Sequence, residues 1–308
     1  SMAPVADHFQ YMALPGTIAL VVVGAFLLLK KLLPEPKQSL IPVVVFLVLG
    51  TPLAVLSWQH QTRMGNPEML WRDNIAKNPG SWAAHNNLAG IQFERGNYSE
   101  ALRLYRAALE RRDDLSMVHV NVGRALFALG QTDEAIVHYN NGLKIDKTDF
   151  KAHNNLGVAL IQKGRTNEAI IAFQNAVKLA PHDTTFFLNL VNLLSEAGQY
   201  TEAITACKTR LERSPDDFPA HYHLGQFLFH TGDLEQSLKH YQEAVRLNPG
   251  FADARFGLAE IQARLNNKAE AIRQWREILR TQPNAVPVIA NLAWALATDL
   301  DGSLRNGP

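Results

Sequence analysis

The sequence predicts an all-α protein, a solenoid of helical hairpins preceded by two transmembrane helices, and three observations carry that reading. From Trp71 onward, residue types recur with an unbroken period of 34, the length of one helix-turn-helix unit. Ahead of the repeat, the runs Ala13 to Leu29 and Leu40 to Trp58 contain no charged residue. The 308 residues are 47% hydrophobic, enough to bury a real core and too much for a mainly disordered polymer.

Each apolar run approaches the ~20 residues needed to cross a ~30 Å hydrocarbon layer, and neither has a polar stripe. They predict helices at about 13–33 and 40–58 within a membrane segment spanning 1–62. A cleaved leader fits poorly, because the first run lacks a basic flank and a second run follows it. Lys30, Lys31 and Lys37 lie between the runs against Glu35, whereas nothing before the first run is basic. The positive-inside tendency therefore puts this loop in the cytoplasm and everything after Trp58 on the opposite side, although Arg63 and Arg72 pull the other way.

The repeat is defined by four positions. Leu88, Val122, Leu156, Leu190, Leu224, Leu258 and Leu292 stand mid-way along successive first helices, where they can fill the seam between helices. Gly96, Gly130, Gly164, Gly198, Gly232 and Asn266 follow, residue types that tolerate the left-handed backbone at which a helix ends. Ala101, Ala135, Ala169, Ala203, Ser237 and Ala271 are small, so paired helices can cross closely. Tyr105, Tyr139, Phe173, Cys207, Tyr241 and Trp275 are expected to fill the gap to the next unit. Pro181, Pro215, Pro249 and Pro283 break the second helices, with Asp113 and Lys147 in their place in two units. These positions delimit a leading half-repeat over 63–81, six units over 82–283, and a final first helix with its tail over 284–308.

The pattern resembles the tetratricopeptide repeat (TPR) from Trp71 to about Thr298. That resemblance implies a right-handed superhelix whose concave face is lined by first helices and which works as a protein-binding scaffold.

One place before the seam stand Asn87, Asn121, Asn155, Asn189 and Asn291, interrupted by His223 and Gly257. An Asn amide carries donors and an acceptor, the complement of a peptide bond, so a column of them can pair with an extended chain whatever its side chains. The same amides can instead bridge neighbouring helices. The column is similar to the asparagine ladder of the O-GlcNAc transferase repeat array, which implies that these five residues hold a peptide by its backbone.

Other chemistries find little support. Thirty Lys plus Arg against 29 Asp plus Glu give a net charge of +1, which offers no field to recruit nucleic acid. Cys207 is the single cysteine and reads as a packed thiol. His85, His119, His153 and His221 recur one repeat apart, too far to converge on one metal ion. Asp113, Asp114, Asp216 and Asp217 fall in turns, where acids cap helices. No catalytic residue, cofactor or metal is expected.

The opening VADHFQYM, the two runs with their basic loop, and LWRDNIAKNPGSWAAHNNLA resemble the end of bacterial relatives of the transmembrane-and-TPR O-mannosyltransferases. That resemblance implies a bacterial inner-membrane protein with a periplasmic array, the C-terminal part of a larger polytopic protein of the GT-C glycosyltransferase type. Two functions stay open at this point: a membrane-anchored scaffold for a protein or peptide, or the acceptor-recognition portion of such an enzyme. The last first helix has no second helix after it, which predicts self-association through that end.

Overall fold

The structure, a computed structural model, describes residues 66–298 together with residues 23, 24, 27, 28, 30 and 31. Between 66 and 298 it contains fourteen α-helices, and no strand occurs among the described residues. A leading helix α1 (Pro67–Lys77) precedes six hairpins. These are α2 (Trp82–Glu94) with α3 (Tyr98–Leu109), α4 (Ser116–Ala128) with α5 (Thr132–Ile145), and α6 (Phe150–Gln162) with α7 (Thr166–Leu179). They continue as α8 (Thr184–Glu196) with α9 (Tyr200–Arg213), α10 (Phe218–Thr231) with α11 (Leu234–Leu247), and α12 (Ala252–Arg264) with α13 (Lys268–Thr281). Helix α14 (Val286–Ala297) closes the array.

The predicted membrane spans, about 13–33 and 40–58, fall outside the described residues except at the six positions named above, which are helical. Among the described residues, no helix is long and apolar enough to cross a membrane.

Helix ends follow from local chemistry. Gly96, Gly130, Gly164, Gly198 and Gly232 have φ between 68° and 86°, and Asn266 has φ 63°, so the first helix of each of the six hairpins ends at a left-handed residue. The N–H that follows each of them donates back to a carbonyl in the last turn, as Gln131 does to Leu126 at 2.9 Å and Gln199 to Leu194 at 2.8 Å. Four of the first helices begin on side-chain caps: Ser81, Asp149, Asp183 and Asp217 accept from backbone N–H groups two or three residues on.

The seam residues Leu88, Val122, Leu156, Leu190, Leu224 and Leu258 are buried, whereas Leu292 on α14 is only half-buried. The small residues at the crossings, Ala101 to Ala271, are all 0% exposed, and this is what lets the helices approach. The bulky residues also pack inside their own hairpins. The rings of Tyr139 and Phe173 pack inward on Gly123 and Gly157 of their own hairpins, and a Cβ on either glycine would lie 2.6 Å from a ring carbon. Only Tyr241 also meets the following hairpin among those glycines, with Gly257 as well as Gly225 against its ring. An aromatic ring is thus accommodated where the facing residue has no side chain.

The chain divides into two compact units, Ser1–Asp113 and Asp114–Pro308, where the lattice alone treats 82–283 as one run. The break follows α3, which has 12 residues against 14 in each later second helix. Asp113 stands there in place of proline, and α4 starts on Leu115, which has no side-chain cap bond. In the first unit, Glu68 of α1 accepts from Arg72, Arg95 and Gln92, tying α1 to the end of α2. The hydrogen bond from Arg72, with that from Arg95, holds its carboxyl below the usual range. In the second unit, the first helices α4 and α6, and likewise α10 and α12, approach each other directly, so first helices form the inner side of this unit.

Candidate functional site

The asparagine column lies on first helices. Asn87, on α2 of the first unit, is exposed and accepts a hydrogen bond from Asn86 at 3.4 Å. In the second unit, Asn121 on α4, Asn155 on α6, Asn189 on α8 and Asn291 on α14 are all half-buried. Asn189 donates to Asn154 Oδ1 at 2.8 Å and so bridges α8 to α6, spending one amide hydrogen inside the array. Asn155 makes no hydrogen bond among the described residues, and its whole amide is available. Beside it on α6, Val158 and Ile161 are 36% and 41% exposed, which sets apolar surface next to the polar column.

The two interruptions have separate causes. Gly257 is required because the Tyr241 ring occupies the place of its side chain. His223 packs near Phe227 and edge-on to Tyr222, leaving Nδ1 buried without a hydrogen-bond partner. Burial pushes its pKa below the ordinary histidine value.

The recurring histidines each find a place in packing or capping. His85 Nδ1 donates to the Ser81 carbonyl at 2.8 Å, and His153 Nε2 to that of Lys147 at 3.1 Å. His119 and His221 instead pair through Nδ1 with His138 and His240, at 3.3 and 3.0 Å. Sequence reading missed these partners, although both lie at the same offset of 19 residues, from a first helix to its second. His221 Nε2 donates to the Pro215 carbonyl at 2.8 Å, so with a neutral His221 ring its Nδ1 accepts from His240. Among the described residues no group of three or more His, Cys, Asp or Glu converges as metal ligands would. Cys207 is fully buried, and burial raises its thiol pKa well above the usual range, the condition of an inert thiol. Asp217 both caps α10 and pairs with Arg210 at 2.7 Å, a structural duty.

The final first helix presents a different surface. Val286, Ile289 and Trp294 on α14 are 72%, 43% and 67% exposed, while Val288 and Ala295 pack on α13 and α12 residues.

Comparison with known proteins bears on the fold and the family. Family models described as tetratricopeptide repeats match residues 70–116, 188–250 and 231–286, and 150–183, and a further one described as TPR repeat matches 123–164. These models describe repeats alone, and the glycosyltransferase resemblances find no counterpart in them. A search of curated proteins returns no match. Among solved structures, the C-terminal part of a TPR repeat-containing protein from Cytophaga hutchinsonii is 20% identical, with a TM-score of 0.62 over 73% of this chain and 93% of that one. The structure described as pilF of Pseudomonas aeruginosa is 17% identical, with a TM-score of 0.52 over 69% of this chain and 96% of that one. YrrB, described as a TPR protein with an unusual peptide-binding site, is 20% identical, with a TM-score of 0.51 over 61% and 96%. At these identities the likeness extends to the fold. With the helix hairpins, the left-handed turn residues and the repeat-model matches in agreement, the chain belongs to the tetratricopeptide-repeat family.

Proposed function

We propose that the chain is a membrane-attached scaffold that holds an extended peptide segment of a partner protein along the first helices of its array. The observation that carries this reading is the recurrence of Asn121, Asn155 and Asn189 at one lattice position on three successive first helices, with the Asn155 amide unspent. Asn189 retains its oxygen and a second amide hydrogen after bridging to Asn154. Pairing through peptide groups favours backbone over side-chain recognition, while Val158 and Ile161 offer apolar contact to alternate residues. Asn87 in the first unit and Asn291 on α14 extend the same column in sequence. YrrB, with the same fold, is described as having a peptide-binding site, which is in keeping with this use of the architecture.

Binding of the full chain to a peptide array tests the reading, wild type against the variant with Asn87, Asn121, Asn155 and Asn189 all changed to Ala. Loss of most bound peptides with an unchanged helical spectrum is expected. Unchanged binding by a folded variant would end the proposal.

Membrane attachment rests on the two uncharged runs, Ala13 to Leu29 and Leu40 to Trp58, and the basic loop between them favours a periplasmic array. A reporter fused after Pro308 should be active on the outer side of a bacterial inner membrane, and cytoplasmic activity would refute the orientation. The exposed Val286, Ile289 and Trp294 favour self-association through α14 as a second reading. Sedimentation should then show an oligomer that Trp294→Glu dissociates, and a monomeric wild type would exclude it.

A further inference from the structure

The fourth hairpin departs from the lattice in ways that open a groove. Where the other hairpins carry Gly or Ala after the seam and an aromatic ring opposite, this one carries Val191 and Cys207. Three residues after Cys207, at a place held by Ala108, Gly142, Ala176, Ala244 and Ile278, stands Arg210. This arginine is 7% exposed, lies over the Phe187 ring at 4.7 Å, and donates to Asp217, to the Pro181 and Asp183 carbonyls, and to Thr184 Oγ1. A guanidinium at a close crossing cannot be packed like a methyl group, and α8 and α9 pair least closely of the six hairpins.

The space so created is a groove of about 410 Å³ among α7, α8 and α9, within the range of sites for small organic ligands. Leu190 and Leu194 lie beneath it, 3% and 1% exposed, and the half-buried Val177 and Ala206 supply its open apolar wall. Second helices of successive hairpins run in the same direction, so Lys178 of α7 and Arg213 of α9 stand at one end of the groove, and Glu202 at the other. Arg103, Arg165, Arg246, Arg273 and Arg280 are each paired with a glutamate three residues away. Lys178 and Arg213 have no ion-pair partner among the described residues. Arg210, by contrast, is neutralised by Asp217 and does not add to the charge at that end.

We propose that this groove binds a small amphiphile with an aliphatic body and one anionic group, its body against Val177 and Ala206 above the buried Leu190 and Leu194, and its carboxylate between Lys178 and Arg213. The apolar wall supplies affinity by excluding water, and the two cations choose the sign of the head group. The site is lined mainly by second-helix residues and contains no residue of the asparagine column.

Protection of an introduced thiol tests it on the full chain. Thr205 is exposed and lines the groove, and the native Cys207 is fully buried, so Thr205→Cys introduces a single reactive thiol. Decanoate at about ten times its Kd should slow modification by iodoacetamide about tenfold, in proportion to the unoccupied fraction. Decanol and decyltrimethylammonium should protect far less, and Lys178→Gln with Arg213→Gln should abolish the preference for decanoate. Ala206→Phe, placed in the Thr205→Cys background to fill the groove, should abolish protection while the helical spectrum persists. Equal protection by all three amphiphiles, or none by any, would overturn the proposal. Protection by an acidic amphipathic peptide alone would also overturn it and assign the groove to a protein partner.

Discussion

The fourth and fifth hairpins share one lattice and are packed by opposite means. In the fifth, the Tyr241 ring fills the interior against Gly225 and Gly257, and Ser237 Oγ donates to the Gly225 carbonyl at 2.5 Å. In the fourth, Cys207 replaces the ring, Val191 takes up part of its volume, and Arg210 stands where the fifth has Ala244. His221 of the fifth hairpin pairs with His240, whereas the corresponding Phe187 of the fourth carries the Arg210 guanidinium on its face. A shared period therefore fixes where helices start and stop, while side-chain volume decides how closely they meet.

The largest expected effect is on the aromatic ring. Tyr241→Ala should cost about 4 kcal/mol in urea denaturation, as for other buried aromatic truncations, and Cys207→Ala only about 1 kcal/mol. Similar costs would mean that the two hairpins are packed alike. Next comes the buried ion pair: Arg210→Ala should cost about 3 kcal/mol, because Asp217 would be left with an uncompensated charge. Adding Asp217→Ser, which keeps an oxygen to cap α10, should recover part of that loss.

A smaller effect follows from converting the fourth hairpin toward the others. Cys207→Tyr should cost about 2 kcal/mol by overpacking against Val191, and Val191→Ala should relieve it, giving a coupling of about 1 kcal/mol. Strict additivity would show that these two positions do not share a space. The Ala89 and Tyr105 combination of the first hairpin is the precedent for the double variant.

The smallest effect is on pH dependence. Burial, then His221 and Lys208, lower the His240 pKa, with Lys239 adding to this and Glu243 opposing it. A depressed histidine pKa means that the stability it contributes is present above the unfolded value of ~6.5 and is lost as pH falls through the folded value. Chemical denaturation repeated from neutral to acidic pH should show this decline, and His240→Gln should flatten it. An unchanged slope would show that the pair does not couple to folding.

The asparagine column was readable because its residue type recurs at a fixed step, and the helix ends were readable because Gly96 through Gly232 signal them locally. The partners of His119 and His221 were not, although His138 and His240 sit at a regular offset, because pairing depends on how a first helix faces its second. The inward contact of the aromatic rings was not legible for the same reason: Tyr139 has room inside its own hairpin only because Gly123 lies opposite. The division after Asp113 was half visible, since the missing proline was in view but the shortening of α3 was not.

By itself the sequence determined the period, the helix termini and the rows of small and apolar residues, since caps, left-handed turns and periodicity act over a few neighbouring residues. Tertiary structure alone decided that Asn189 spends an amide hydrogen on Asn154, that Arg210 reaches four acceptors on separate residues, and that a groove opens beside Leu190 and Leu194. Those outcomes depend on close packing between residues about 7 to 35 positions apart, and volume and hydrogen-bond geometry at that range are not written in any local pattern.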